Sequence, residues 1–163
     1  MTEGATTKVL FVCLGNICRS PMAEAVFAHL VKTNGLYDRF VVDSAGTAAY
    51  HAGETPDKRT VQTCVSKGVP IKHRARRVRS SDFADFDYML CMDQGNLDDL
   101  LRIKPPGARA HVALFGSYSG EAGDRIIEDP YYGGNDGFRT NFAQVTRCSV
   151  GLLKELGFSV APP

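Results

Sequence analysis

Tryptophan is missing from this chain of 163 residues, and there are only 4 histidines. No apolar run approaches the roughly 20 residues that cross a bilayer, and no signal-peptide core follows Met1. These two absences argue against membrane insertion and export. Neither sign of charge dominates: 19 Lys and Arg stand against 18 Asp and Glu, a formal net charge of +1. The chain therefore lacks the global field that favours nucleic acid or a membrane surface. Cysteines number 5, an odd count without the spacing of a disulfide framework. That usage suits a reducing compartment, with the cytoplasm as the default. No His/Cys/Asp spacing suggests a metal site, and there is no internal repeat, low-complexity tract or linker. What is present is an ordinary globular balance, 44% hydrophobic and 23% charged. The length suits one domain with its own core.

Strand and helix patterns alternate along the chain. Apolar runs at Lys8–Val12, Phe40–Ser44, Asp87–Met92 and His111–Phe115 read as four strands. Between them, Pro21–Lys32 carries Met22, Val26 and Leu30 at helical spacing. Thr55-Pro56-Asp57 starts a helix that runs to Lys67 and stops at Gly68. A short helix is expected around Asn96–Leu101. Phe138, Phe142, Val145, Cys148, Leu152 and Leu156 form the stripe of a long last helix ending at Gly157. Alternation of this kind predicts an α/β single-domain three-layer sandwich, a four-stranded parallel sheet with helices on both faces. The domain is expected over 8–157, between a polar tail at 1–7 and a loose tail at 158–163. Cys64, Cys91 and Cys148 fall on core positions and read as packing residues.

The most informative segment is Cys13-Leu-Gly-Asn-Ile-Cys-Arg19-Ser20-Pro21, at the end of the first strand. A Gly-containing turn, Ser20 as a helix cap and Pro21 at the first helical position make a helix N-terminus. Backbone N–H groups of such a loop converge, and the helix dipole favours negative charge there. Arg19 adds a planar fork of donors that matches a phosphoryl group. The same positive surroundings favour the thiolate of Cys13. A thiolate at the floor of an anion cradle is equipped for phosphoryl transfer with a cysteine nucleophile. The plainer alternative is a buried strand-end cysteine and an unrelated surface arginine.

A second constellation is Asp129-Pro-Tyr131-Tyr132-Gly-Gly134, a loop by composition. Asp129 could hand a proton to a leaving oxygen, and the tyrosines could wall a pocket. A turn capped by Asp, with half-packed tyrosines, is the simpler reading of these residues alone. The run Lys72–Arg79 holds five Lys and Arg in eight residues. It is a solvated face, a rim steering acidic phosphopeptides, or a nucleic-acid patch; at this net charge the last is the least favoured.

Taken together, Cys13–Pro21, Ser44-Ala-Gly-Thr47, Cys91-Met-Asp93 and Glu128-Asp-Pro-Tyr-Tyr-Gly133 resemble the low-molecular-weight protein tyrosine phosphatases, in order and over nearly the whole length. The resemblance implies a phosphate-binding loop after the first strand, no cofactor and no metal. It implies that Cys13 attacks phosphorus to form a cysteinyl-phosphate, with Arg19 and the N–H groups of Leu14, Gly15, Asn16, Ile17 and Cys18 holding the phosphoryl oxygens. Asp129 would be the general acid, then the base for water. Ser20 would stabilise the thiolate, and Asn16 would take a left-handed backbone that Asn tolerates. Ser44 and His73 would support Asn16, although His73 alone reads as a solvated basic residue. Tyr50, Tyr131 and Tyr132 would form pocket walls deep enough for phosphotyrosine and too deep for phosphoserine. Cys18 would be a redox partner for Cys13. The implied partners are phosphotyrosine proteins or peptides, with inorganic phosphate as product and no nucleic acid; a monomer is expected. Two rivals share the scaffold. A thiol-dependent arsenate reductase needs two further closely spaced cysteines, which Cys64 and Cys91 are not. A non-catalytic phosphotyrosine-binding module has no need of Asp129. Gly134, Gly137 and Arg139 depart from the family pattern and bear on the mobility and charge of the Asp129 loop.

Overall fold

A computed structural model describes residues 6–161. Four parallel strands, β1 (Thr7–Cys13), β2 (Phe40–Gly46), β3 (Tyr88–Cys91) and β4 (His111–Leu114), form one sheet in the order β2-β1-β3-β4. The helices are α1 (Arg19–Thr33), α2 (Lys58–Ser66), α3 (Asp82–Asp85), α4 (Gln94–Ile103) and α5 (Asn135–Glu155). Strand β1 lies in the middle, with Val12 opposite Ala45 on one side and Cys91 on the other. A central parallel strand is covered on both faces, so it is a continuous apolar run rather than an alternating one. Its side chains still alternate. Val9, Phe11 and Cys13 join the core beneath α1, α2 and α5, and Leu10 and Val12 join the core with Phe83, Met89 and Leu100. Phe11 anchors the first core, 5.6 Å from Phe27 and 4.8 Å from Phe115 between ring centroids. The expected three-layer sandwich is observed.

This strand order places the functional loop. The chain leaves β1 for β2 on one side and later returns to β3 on the other. The carboxyl ends of β1 and β3 therefore flank a switch point, where open α/β sheets leave a crevice. Cys13 ends β1 at that crevice.

Several boundaries differ from the sequence reading. Helix α1 begins at Arg19, ahead of Ser20, and no side chain caps it. The Ser20 hydroxyl has stronger partners elsewhere, Cys13 Sγ and Asn16 Nδ2. Helix α2 begins only at Lys58, because Asp57 is its cap and accepts from Arg59 N at 2.8 Å. The expected tail from 158 is corrected at its start. Phe158 packs edge-on against Phe40 at 5.7 Å, with the Arg39 guanidinium 5.3 Å above its ring, and Val160 packs on the same core. Thr7, expected in the first tail, opens β1 instead; residues 1–5 and 162–163 of the expected tails lie outside the described residues.

Candidate active site

The loop from Cys13 to Arg19 is shaped by where its polar groups go. The carbonyls of Cys13 and Leu14 accept from Thr47 N and Ala48 N at 2.9 and 3.0 Å. Ile17 O accepts from Asp57 N, and Cys18 O accepts from the Thr60 hydroxyl. The loop carbonyls are thus engaged by the segments around it. In contrast, the amide N–H groups of Leu14, Gly15, Asn16, Ile17 and Cys18 find no acceptor among the described residues. Buried amides are seldom left unpaired, and three of these five belong to the buried residues Asn16, Ile17 and Cys18, so the row is an anion site in waiting. Gly46 permits the close approach of β2: a Cβ there would sit 2.6 Å from Leu14 O.

Asn16 locks the loop. Its φ of 59° is the left-handed conformation expected from the sequence. Its Nδ2 donates to Ser20 Oγ at 2.7 Å and to Ser44 Oγ at 3.0 Å. Its Oδ1 accepts from His73 Nε2 at 2.8 Å and from Arg76 N at 3.0 Å. The Ser20 hydroxyl, steered by Asn16, lies 3.0 Å from Cys13 Sγ. His73 is therefore no solvated residue: its side chain is 8% exposed, and Nδ1 faces Glu24 at 3.1 Å. Burial pushes Glu24 up to about 7 and lowers His73, so this pair holds its proton near neutral pH.

Arg19 is buried and fixed from two distant segments. Its Nη1 donates to Asp93 Oδ2 at 2.6 Å and to Ile127 O at 2.9 Å. Asp93 uses its other oxygen to cap α4 through Asn96 N. Burial works against the Arg19 charge, but Cys13 and the Asp93 hydrogen bond outweigh it and hold its pKa above the ordinary value. Asp129 Oδ2 stands 3.9 Å from Arg19 Nη2, and Asp129 Oδ1 accepts from Tyr131 N.

A pocket of about 150 Å³ opens here, lined by Cys13, Arg19, Asp129, Tyr50, Tyr131 and His51 among others. The structure brings together Cys13, the loop, Arg19, Asp129 and all three tyrosines. Ser44 and His73 stand behind it. Tyr131 and Tyr132 meet edge-on at 5.0 Å, while Tyr50 and Tyr132 are largely exposed at the mouth. Cys18, Cys64, Cys91 and Cys148 are buried, which pushes each up to about 12. Only Cys13 and Cys18 reach the pocket.

Glu24, His51 and Arg59 carry no signal of a site in the sequence, Asp57 only that of a helix start, and Asp93 only its place in the Cys91-Met-Asp93 resemblance. Asp93-x-x-Asn96 was readable as a capping box, but its second oxygen finds Arg19 only in the fold. Arg59 grips Asp57 and donates to Tyr131 O and Gly133 O, tying α2 to the Asp129 loop. Gly137 lets the first turn of α5 approach Pro130, where a Cβ would sit 3.1 Å away, and Arg139 pairs with Asp136. Glu24, Asp43 and His73 come close enough to suggest a metal cage. Their donor set is already used: Ser44 holds Glu24 and Arg76 holds Asp43, placing a fixed positive charge beside any cation.

The model of the family described as low molecular weight phosphotyrosine protein phosphatase matches residues 8–161. This chain belongs to that family. Proteins of that name from Schizosaccharomyces pombe and Homo sapiens are 50% and 48% identical to it. The yeast alignment covers 91% of this chain and 96% of the relative; the human one covers 95% and 99%. Among solved structures, a protein tyrosine phosphatase from Entamoeba histolytica superposes with a TM-score of 0.89 at 36% identity, covering 93% of this chain and 97% of that one. A Drosophila arginine phosphatase does so with 0.89 at 39%, covering 93% and 99%. The low-molecular-weight phosphatase fold is thus shared across these chains.

Proposed function

We propose that this chain hydrolyses phosphotyrosine in proteins or peptides, and small aryl phosphates, through a cysteinyl-phosphate. The carrying observation is the ring of unpartnered amides and the buried Arg19 fork around Cys13 Sγ. The Cys13 thiolate attacks phosphorus and the bond to the phenolic oxygen breaks. Asp129 gives that oxygen its proton. Water then attacks the cysteinyl-phosphate, the Asp129 carboxylate takes its proton, and the sulfur–phosphorus bond breaks. Inorganic phosphate leaves. The Ser20 hydroxyl, donating to the sulfur, makes Cys13 a better leaving group. The loop amides and Arg19 hold the equatorial oxygens, which is electrostatic and positional work. Asp93 and the Ile127 carbonyl keep the fork aimed; Asn16, Ser44 and His73 keep the loop rigid. Tyr50, Tyr131 and Tyr132 supply aromatic walls for the phenyl ring.

The two rivals fit less well. No pair of cysteines beyond Cys13 and Cys18 lines the pocket, so an arsenate-reductase relay has no path. Asp129 beside Arg19 serves turnover rather than mere binding. We further propose that Cys18 pairs with Cys13 under oxidation, that the chain acts as a monomer without nucleic acid, and that it works in the cytoplasm. Five free cysteines suit a reducing compartment. Among the described residues no helix is long and apolar enough to cross a membrane.

The test is hydrolysis of phosphotyrosine, phosphoserine and phosphoarginine peptides by wild type and Cys13→Ser, without added metal. The phosphotyrosine peptides should be cleaved by wild type alone, and Cys13→Ser should still bind phosphate analogues. Substantial turnover by Cys13→Ser, or preference for another phosphoresidue, overturns the proposal.

A further inference from the structure

Beside the catalytic pocket lies a second groove of about 230 Å³, whose lining includes Leu14, Tyr50, Ile103 and Arg77 together with Arg102 and Asp99. Leu14 and Tyr50 line both cavities, so the two are continuous across one shared wall. A substrate whose phosphorylated ring fills the first must pass its neighbouring residues over this wall or away from it. The apolar part of the groove is unusual for solvent: Leu14, Tyr50 and Ile103 are all exposed.

Its charges are not equivalent. Arg102 is engaged by Asp99 at 2.6 Å. Within the basic run, Arg76 is consumed by Asp43 and Asp82, and His73 by the Asn16 network. Arg77 is exposed, and among the described residues no carboxylate lies within ion-pair distance of it. Its backbone is held by the bridge to Gly46, directly behind the phosphate-binding loop. The basic run is thus not one patch. Of that run only Arg77 lines this groove, an uncompensated cation alongside the apolar Leu14, Tyr50 and Ile103.

We propose that this groove binds the residues flanking the phosphotyrosine, and that Arg77 selects an acidic side chain there. The occupant is a segment of an acidic phosphotyrosine peptide, with its aliphatic carbons on Leu14 and Ile103 and its carboxylate on Arg77. Charge complementarity and continuity with the catalytic pocket carry the assignment, and it rests on the phosphotyrosine reading above. An extended chain advances about 3.3 Å per residue, so three positions on either side of the phosphotyrosine reach about 10 Å from it.

The test is kcat/KM on phosphotyrosine peptides with alanine flanks, into which one Glu, or one Lys, is placed at each of three positions on either side. Wild type, Arg77→Ala and Arg77→Glu are compared, with p-nitrophenyl phosphate reporting the pocket alone. Wild type should favour Glu at one position by about threefold through KM, as expected of a solvent-exposed pair. The preference should fade with added salt. Arg77→Ala should lose it, and Arg77→Glu should favour Lys at the same position. A preference that survives in Arg77→Ala, or equal rates for all peptides, overturns the inference while leaving the phosphotyrosine reading intact. Cleavage of p-nitrophenyl phosphate but of no phosphotyrosine peptide overturns the phosphotyrosine reading itself.

Discussion

Replacing Asn16 with alanine tests the loop lock directly. The substitution removes Oδ1, which leaves Arg76 N without its acceptor and His73 Nε2 with only the longer 3.3 Å contact to Ser44 Oγ, in a site where Asn16 itself is 1% exposed. Each buried donor left unpaired costs about 1–3 kcal/mol. Alanine in a left-handed backbone adds about 1 kcal/mol or more. For the Arg76 amide and the backbone together the expected loss is therefore about 2–4 kcal/mol, a large share of the stability of a domain this size. In a domain of this length about 1 kcal/mol moves Tm by 2–4 °C, so Tm should fall by on the order of 10 °C. The Ser20 hydroxyl also loses the donor that aims it at Cys13. One such hydrogen bond lost at the transition state is worth roughly tenfold in kcat. Asn16→Gly separates the two causes, since it deletes the same bonds but relieves the backbone. It should regain only about 1 kcal/mol over Asn16→Ala. Thermal unfolding by circular dichroism and turnover of an aryl phosphate give both readouts. If Asn16→Gly unfolds with wild type and keeps its kcat, the side-chain network contributes nothing and the reasoning fails.

Asp129→Asn should cost roughly a hundredfold or more on phosphotyrosine and much less on an aryl phosphate with a very acidic phenol, which needs little protonation; equal losses in the phosphorylation step remove Asp129 from the acid role. Mild peroxide should inactivate the enzyme by oxidising the Cys13 thiolate to a sulfenic acid, which the Cys18 sulfur then attacks, releasing water and leaving a disulfide that thiols reverse. Cys18→Ser should remain active but recover poorly; peptide mapping that finds Cys13 unpaired in wild type refutes this. Glu24, raised from the unfolded carboxyl range to about 7 by burial, binds its proton more tightly when folded. That contribution to stability is present below about pH 4.5 and is lost as pH rises towards 7 and above. Glu24→Gln should flatten this trend, so a Tm difference from wild type that stays constant between pH 4 and 8 contradicts the buried-acid reading.

The local chemistry was legible in the chain itself. A buried strand, a glycine turn, an Asn that tolerates positive φ and an arginine six residues after the cysteine are near neighbours, and backbone preference alone brings them to one loop. The parallel sheet followed from the alternation of periodicities. The cap was misread because Ser20 has two suitable uses, and only packing offers it a thiol and an amide in place of a helix end. Tertiary structure decided everything that reaches this loop from afar. Asp93 and Ile127 meet Arg19 across 74 and 108 residues of sequence, and His73 meets Asn16 across 57. These partners carry no local signature, since a carboxylate, a carbonyl or an imidazole suits many environments equally. Strand order selects among them: β3 beside β1 delivers Asp93, and the return to α5 delivers Asp129. Sequence periodicity specifies which face a residue takes, but the lateral order of strands is fixed by long-range packing, and that order assembles this site.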